Sequence, residues 1–337
     1  MYRFLLAFAL LPFSNIVAQP CTTTDASGCD CKDGSNDCDL LPDIKISYNL
    51  LIDPSNNPES PGELGVSVSS PNVGHGPLRV IATDYFVCGS DTIYSPGGMA
   101  ACLDGSDPKQ LIQQRIYHKS GDTMTFYDRW AGSMTYHQSH GHMHVDDWGV
   151  YTIRTEQPGV DPLDWPIIGQ GQKLGFCLMD FGSCSFYYGH CWDENGDTLS
   201  SNAPNYGLGG GNYSCGITNQ GISAGWTDIY HHYLDGMQIT IPPGTCNGDY
   251  KIVVHIDPHD YFLEENEDNN VIVAPITLTE QTDVATAVIT AMGETTFCEG
   301  ESVDLEASNG DSYLWSTGDT TQSITVTTAG QYSCQVS

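Results

Sequence analysis

The chain has 337 residues, with 42 acidic against 11 basic side chains and a formal charge of −31. That charge excludes nucleic acid and anionic membrane surfaces as partners and favours cationic ones such as amines. The 36 Gly and 18 Pro argue against a helical bundle, and 6 Trp, 18 Tyr and 10 Phe against a disordered acidic tail, leaving a loop-rich, all-β chain of two domains with room for a third.

In chain order, residues 1–18 read as a signal peptide: Arg3, an apolar run from Phe4 to Phe13, and a small residue at Ala18. The run is too short to span a bilayer, and no later segment approaches eighteen apolar residues, so a secreted, extracellular protein without a membrane span is expected. All 13 cysteines follow the signal. In an oxidising compartment they should form disulfides, and the odd number leaves at least one without an intrachain partner. Residues 19–42 are rich in Cys and Asp and read as a disulfide-tied loop. Residues 43–278 hold short alternating or β-branched runs (IKISYNLLI, LRVIATDYFVC, TMTFY, HVDDWGVYTI, MQITI, YKIVVHI, NNVIVAPITL) separated by turn residues, the pattern of a β-sandwich domain with long loops. One short helix is expected around DPKQLIQQRI, and the Gly-rich loop NAPNYGLGGGNYSCG is placed at the border of a site. Residues 279–337 read as a linker and an immunoglobulin-like β module carrying Trp315 and Tyr332-Ser333-Cys334. About 55 residues is short for such a module, as a truncated one would be. Ala307 stands at the usual half-cystine position, so a Cys298–Cys334 bridge would not be the standard inter-sheet bond.

Four segments can carry chemistry. In YHQSHGHMHVDDW, His137, His140, His142 and His144 fall within eight positions, and the last three alternate. On a strand these three share one face with neighbours about 7 Å apart, and a bend brings them onto one metal. Imidazole ligation suits copper or zinc, and copper wins on intrinsic affinity. Three same-face imidazoles gain little as packing. Lys173, one of six lysines, lies in the apolar run GQKLGFCLMDFGSC, where desolvation would free its amine as a nucleophile; a snorkelling lysine at a strand edge reads equally well from the segment alone. Tyr230 closes NQGISAGWTDIY, which by itself reads as an aromatic loop entering a strand. In DPHDYFLEENEDNNV, Glu264, Asn266, Asn269 and Asn270 offer oxygen ligands to calcium, against the plainer reading of a solvated acidic turn.

Together, in this order, the segments resemble the lysyl oxidase family in its bacterial branch. The family's copper motif of three alternating histidines matches His140, His142 and His144. Its lysine precedes a Phe-Cys-Leu-x-Asp run, as Lys173 precedes FCLMD, and its tyrosine ends a Gln-Gly-Ile run, as Tyr230 ends QGISAGWTDIY. LLPDIKI resembles the family's entry strand and DPHDYFLEENEDNN its closing signature, so the likeness runs from Leu41 to about Ala274. Ser139, Trp226 and Gly236 depart from it, standing where animal members place half-cystines. The resemblance pairs Cys177 with Cys184 and Cys88 with Cys102, and offers Cys191 as a partner for Cys215. It also adds Asp43 and the backbone oxygen of Ile44 to the calcium set of Glu264, Asn266, Asn269 and Asn270.

The resemblance implies a copper-dependent amine oxidase whose cofactor, lysine tyrosylquinone, is made from Lys173 and Tyr230. It would convert primary amines and O2 to aldehydes, ammonia and hydrogen peroxide by covalent catalysis. Candidate amines are small alkylamines, polyamines and the peptidyl lysine of a matrix or surface protein. Asp228 is taken as the proton-abstracting base ahead of Asp146 and Asp147. The competing reading is a non-catalytic extracellular copper-binding or matrix protein, which has no need of both Lys173 and Tyr230. A copper monooxygenase that coordinates through an N-terminal histidine is excluded by an expected mature start at Gln19.

Overall fold

The computed structural model of the protein describes residues 20–138, 141–281, 287–298 and 300–336. The expected signal peptide and His140 lie outside them. The described chain is all-β, as the alternating runs predict, and its α-helix is the five-residue Tyr48–Ile52. No described helix is long and apolar enough to cross a membrane.

The largest sheet runs Asn219–Ile222, Leu78–Cys88, Lys109–Ser120, Thr123–His137 and His142–Val145, with Asp37–Leu40 paired to Lys109–Ser120 and Asp91–Tyr94 to Leu78–Cys88. A four-stranded sheet orders Ile167–Gln170, Gly149–Arg154, Gly248–Ile256 and Val271–Leu278, and a three-stranded one sets Trp226–Tyr230 between Gly182–Ser183 and Val68–Pro71. Their inner faces share one apolar core that includes Ile112, Met134, Val145, Trp148, Tyr151, Phe176, Ile239 and Val254. Residues 289–336 hold a separate cluster around Trp315, Leu305 and Ile324, in a three-stranded and a two-stranded sheet.

The helix expected around DPKQLIQQRI is instead the start of the strand Lys109–Ser120. Ile112 and Ile116 are four apart, a spacing that fits a helical turn and two strand repeats alike. The strand wins because both flanks find partners: Leu78–Cys88 on one side and Thr123–His137 on the other, with Arg115 opposite Asp128 and bonded to it through two nitrogens at 2.7 and 2.8 Å. Ile112, Gln114 and Ile116 then all turn inward.

Five disulfides fit an extracellular protein. Cys21–Cys29 and Cys31–Cys38 tie the N-terminal loop, and Cys88–Cys102 forms as expected. The remaining pairs correct the expectation: Cys177 joins Cys215, and Cys184 joins Cys191. The Cys184 loop closes locally through turn bonds from Phe186 N and Tyr187 N to Ser183 O, while Gly182–Ser183 is drawn away to pair with Trp226–Thr227. Cys177 meets the end of the Gly-rich loop instead. Cys246, Cys298 and Cys334 are free thiols, so the Cys298–Cys334 bridge does not form.

Candidate metal and crosslink site

The histidine strand is built by pairing. His142–Val145 lies antiparallel to the end of Thr123–His137, with His142 opposite His137 and His144 opposite Thr135. Alternation puts the rings of His142 and His144 on one face. Their Nε2 atoms stand 3.0 Å apart, with ring centroids at 4.9 Å. His137 stacks on His144 with centroids 4.8 Å apart and planes 25° from parallel. His144 is buried. The structure thus brings together two of the three predicted ligands and adds His137, which the alternation argument had set aside.

Val145 exchanges backbone bonds with Phe176, N to O at 2.7 Å and O to N at 3.0 Å, carrying the FCLMD segment to the histidine strand. Gln220 locks this junction. It is fully buried, and its side chain donates to Met143 O and Gly216 O and accepts from Leu178 N, each at 2.8–2.9 Å. The Gln of the QGIS run therefore joins the histidine strand to the segment after Cys177, a role no local pattern could assign because its partners are 42 and 77 residues away.

Tyr230 ends the strand Trp226–Tyr230 and its hydroxyl donates to Cys177 O at 2.5 Å. Its ring meets Phe176 edge-on at 4.8 Å. Burial pushes the phenol well above its ordinary range, and the nearby Asp228 carboxyl adds to the rise. Lys173, half-buried in an irregular segment after Ile167–Gln170, points its Nζ at the same rings: 5.7 Å from the Tyr230 centroid and 5.3 Å from that of Phe176. Burial lowers its pKa, with the Asp235 carboxylate opposing, which shifts the amine toward the neutral, nucleophilic form. A ring nitrogen of His142 lies within 4.8 Å of the Cys177 and Cys215 sulfurs. Those sulfurs are spent in a disulfide and are not ligands. One residue, Cys177, thus borders both His142 and the Tyr230 phenol.

Asp228 is fully buried on that strand, two residues from Tyr230, and accepts from Met179 N at 3.2 Å. Burial raises its carboxyl well above the usual range, opposed by backbone N–H groups. Asp146 accepts from Ser133 Oγ at 2.6 Å and Thr135 Oγ1 at 3.1 Å, and burial raises it too. Asp147 sits in a left-handed turn at φ 54°.

A second cluster closes the domain. Ile44 N donates to Glu264 Oε2 at 2.5 Å, Asn269 Nδ2 to Asp43 Oδ1 at 2.8 Å and Asn270 Nδ2 to Glu264 Oε1 at 3.4 Å. Asp43, Glu264 and Asn270 are buried, and Oδ1 of both Asn269 and Asn270 is buried without a partner. Burial raises both carboxyls; for Glu264 the charges of Glu267, Asp43 and Asp257 add to it. Asn266 caps the following short turn, accepting from Asp268 N at 3.1 Å. A cluster of oxygen donors fits a hard metal ion such as Ca²⁺, although the charges of Lys45 and Lys32 also reach Asp43.

Residues 198–288 match the family model of lysyl oxidase. The matched stretch holds Asp228, Tyr230 and the Glu264–Asn270 turn, and it bears out the family resemblance read from the motifs. A lysyl oxidase domain suggests a function of the copper amine oxidase type. No curated protein matches the sequence.

Proposed function

We propose that this lysyl oxidase-like chain is a secreted, copper-dependent oxidase of primary amines whose redox cofactor is made from Lys173 and Tyr230. One observation carries the reading: a lysine amine lies 5.7 Å from the ring of a buried tyrosine, and that tyrosine's hydroxyl is held by the residue that also borders a histidine pair. The donor set fits copper. Two ligands at right angles on bonds of roughly 2.0–2.1 Å would be about 2.9 Å apart, and the two Nε2 atoms stand at 3.0 Å. His142 and His144 would hold the metal together with His140, which lies outside the described residues; neutral imidazoles suit copper over a hard cation.

When formed, the lysine tyrosylquinone supplies an electron sink that carries electrons from the amine to O2, giving aldehyde, ammonia and hydrogen peroxide. The chain's own residues do the rest. Phe176 packs perpendicular to the Tyr230 ring and helps to bury it. Asp228 is the base of the reading: its raised pKa is the direction that a carboxylate exchanging protons near neutral pH requires. The strongly negative protein attracts alkylammonium substrates, with peptidyl lysine of matrix or surface proteins, polyamines and small alkylamines all in the class. Calcium bound by Asp43, the Ile44 backbone oxygen, Glu264, Asn266, Asn269 and Asn270 would tie the first strand region to the last, supported by the two orphaned amide oxygens.

The test is a quinone-specific redox stain with a visible absorption spectrum on copper-loaded protein, wild type beside Tyr230→Phe. The reading expects signal in the wild type alone. A silent wild type with full copper would leave the non-catalytic copper-binding alternative.

A further inference from the structure

Lys173 sits in no regular element, and a free lysine side chain samples many rotamers, so something must aim it. The surrounding contacts converge on Tyr151, a fully buried residue of the strand Gly149–Arg154. Its hydroxyl donates to Gly236 O, and the Lys173 backbone N–H faces the same hydroxyl. Its carbonyl accepts from Gly171 N at 2.9 Å, and its ring packs so closely on Gly171 that a Cβ there would fall 1.9 Å from the ring. Gly236, at φ 79°, presses on Lys173 from the other side: a Cβ on it would meet the Lys173 Cβ at 3.0 Å. Tyr151, Phe176 and Tyr230 line one small cavity. Burial pushes the Tyr151 hydroxyl to about 12, so it remains a neutral donor across the working pH range.

We propose that Tyr151 is the positioning residue for cofactor formation: by clamping Gly171, the Lys173 backbone and the Gly236 carbonyl, it holds the Lys173 amine over the Tyr230 ring. The inference rests on the amine oxidase reading above. Joining the side chains forms a C–N bond from Lys173 Nζ to a ring carbon that loses its hydrogen. The two electrons and two protons released pass to O2 as hydrogen peroxide. The second ring oxygen comes from another O2, whose remaining atom leaves as water. Without the clamp the amine wanders, and misplacement by an ångström costs up to about a hundredfold in rate.

The experiment follows formation of joined Lys173 and Tyr230 peptides by timed peptide mapping after copper is added to the aerobic full-length protein. Tyr151→Phe keeps the ring and its hold on Gly171 and removes the hydroxyl's hold on Gly236 and the Lys173 backbone; joining is expected to slow roughly tenfold or more, with copper content unchanged. In copper-free protein the same variant should acylate Lys173 several-fold faster than wild type, a readout independent of any quinone. Should Tyr151→Phe lack a cooperative melt, Gly236→Ala replaces it, since its methyl displaces Lys173 from the opposite side and should slow joining likewise. Wild-type joining and acylation rates in a folded variant overturn the role of Tyr151 alone. A fully copper-loaded wild type with no joined peptide overturns the amine oxidase reading, and the role of Tyr151 with it.

Discussion

Chelating divalent cations from the folded protein is expected to lower its melting temperature, and adding Ca²⁺ back to restore it. Without a cation, the cluster leaves Oδ1 of Asn269 and Asn270 buried and unpaired, at a cost of about 1–3 kcal/mol each. It also crowds the Asp43 and Glu264 carboxyls, 221 residues apart in sequence. Free Ca²⁺ at a hundredfold excess over its Kd stabilises a binding-competent fold by about 2.7 kcal/mol, inside the range those two oxygens set. For a domain of this size each kcal/mol moves Tm by roughly 2–4 °C, so chelation should lower Tm by roughly 5–10 °C. The pH dependence has a definite sign. Both carboxyls are raised in the folded state, so the folded chain binds more protons than the unfolded one above the ordinary carboxylate range, and metal-free stability falls as pH rises through the folded values. Ca²⁺ competes with those protons, so its stabilising effect should be larger at pH 7 than at pH 5. Differential scanning calorimetry with and without chelator at both pH values, beside Glu264→Gln, measures this. An unchanged Tm in all four conditions, with no Ca²⁺ taken up by dialysed protein, would refute the reasoning.

His142→Ala or His144→Ala should reduce bound copper below one ion per chain by metal analysis, because the 3.0 Å Nε2 pair is then broken. Lys173→Ala should abolish the joined peptide, and either it or Tyr230→Phe should eliminate amine-dependent peroxide; full peroxide production from either variant contradicts the crosslink. Asp228→Asn keeps the shape of the buried carboxyl and should fold normally by thermal melt, while the oxidation rate falls about 10²–10⁴-fold, the span of a general base. Because the Asp228 pKa is raised, wild-type activity should climb with pH on its acid limb as the carboxyl ionises, and the variant should lose that limb.

Alternation along the chain determined much of the site by itself. His142 and His144 share a face because a strand repeats every two residues, and the pairing with Thr123–His137 needed only to bend them together. The short, turn-bounded runs likewise committed the chain to sheets, and the abundance of cysteine pointed to disulfides. The tertiary structure decided what depends on distant partners. Ile112 and Ile116 read as helix or strand until two neighbouring strands chose for them. Thirteen cysteines offer many pairings, and Cys177 reached Cys215 only because the Gly-rich loop returned to it. The motifs could name Lys173 and Tyr230 but not their 5.7 Å approach. Gln220 and Tyr151 read as ordinary polar and aromatic strand residues; buried, each must pair its polar atoms, and the partners come from segments 42 to 85 residues away. Local pattern encodes which face a side chain takes, whereas such pairings exist only once the sheets have packed.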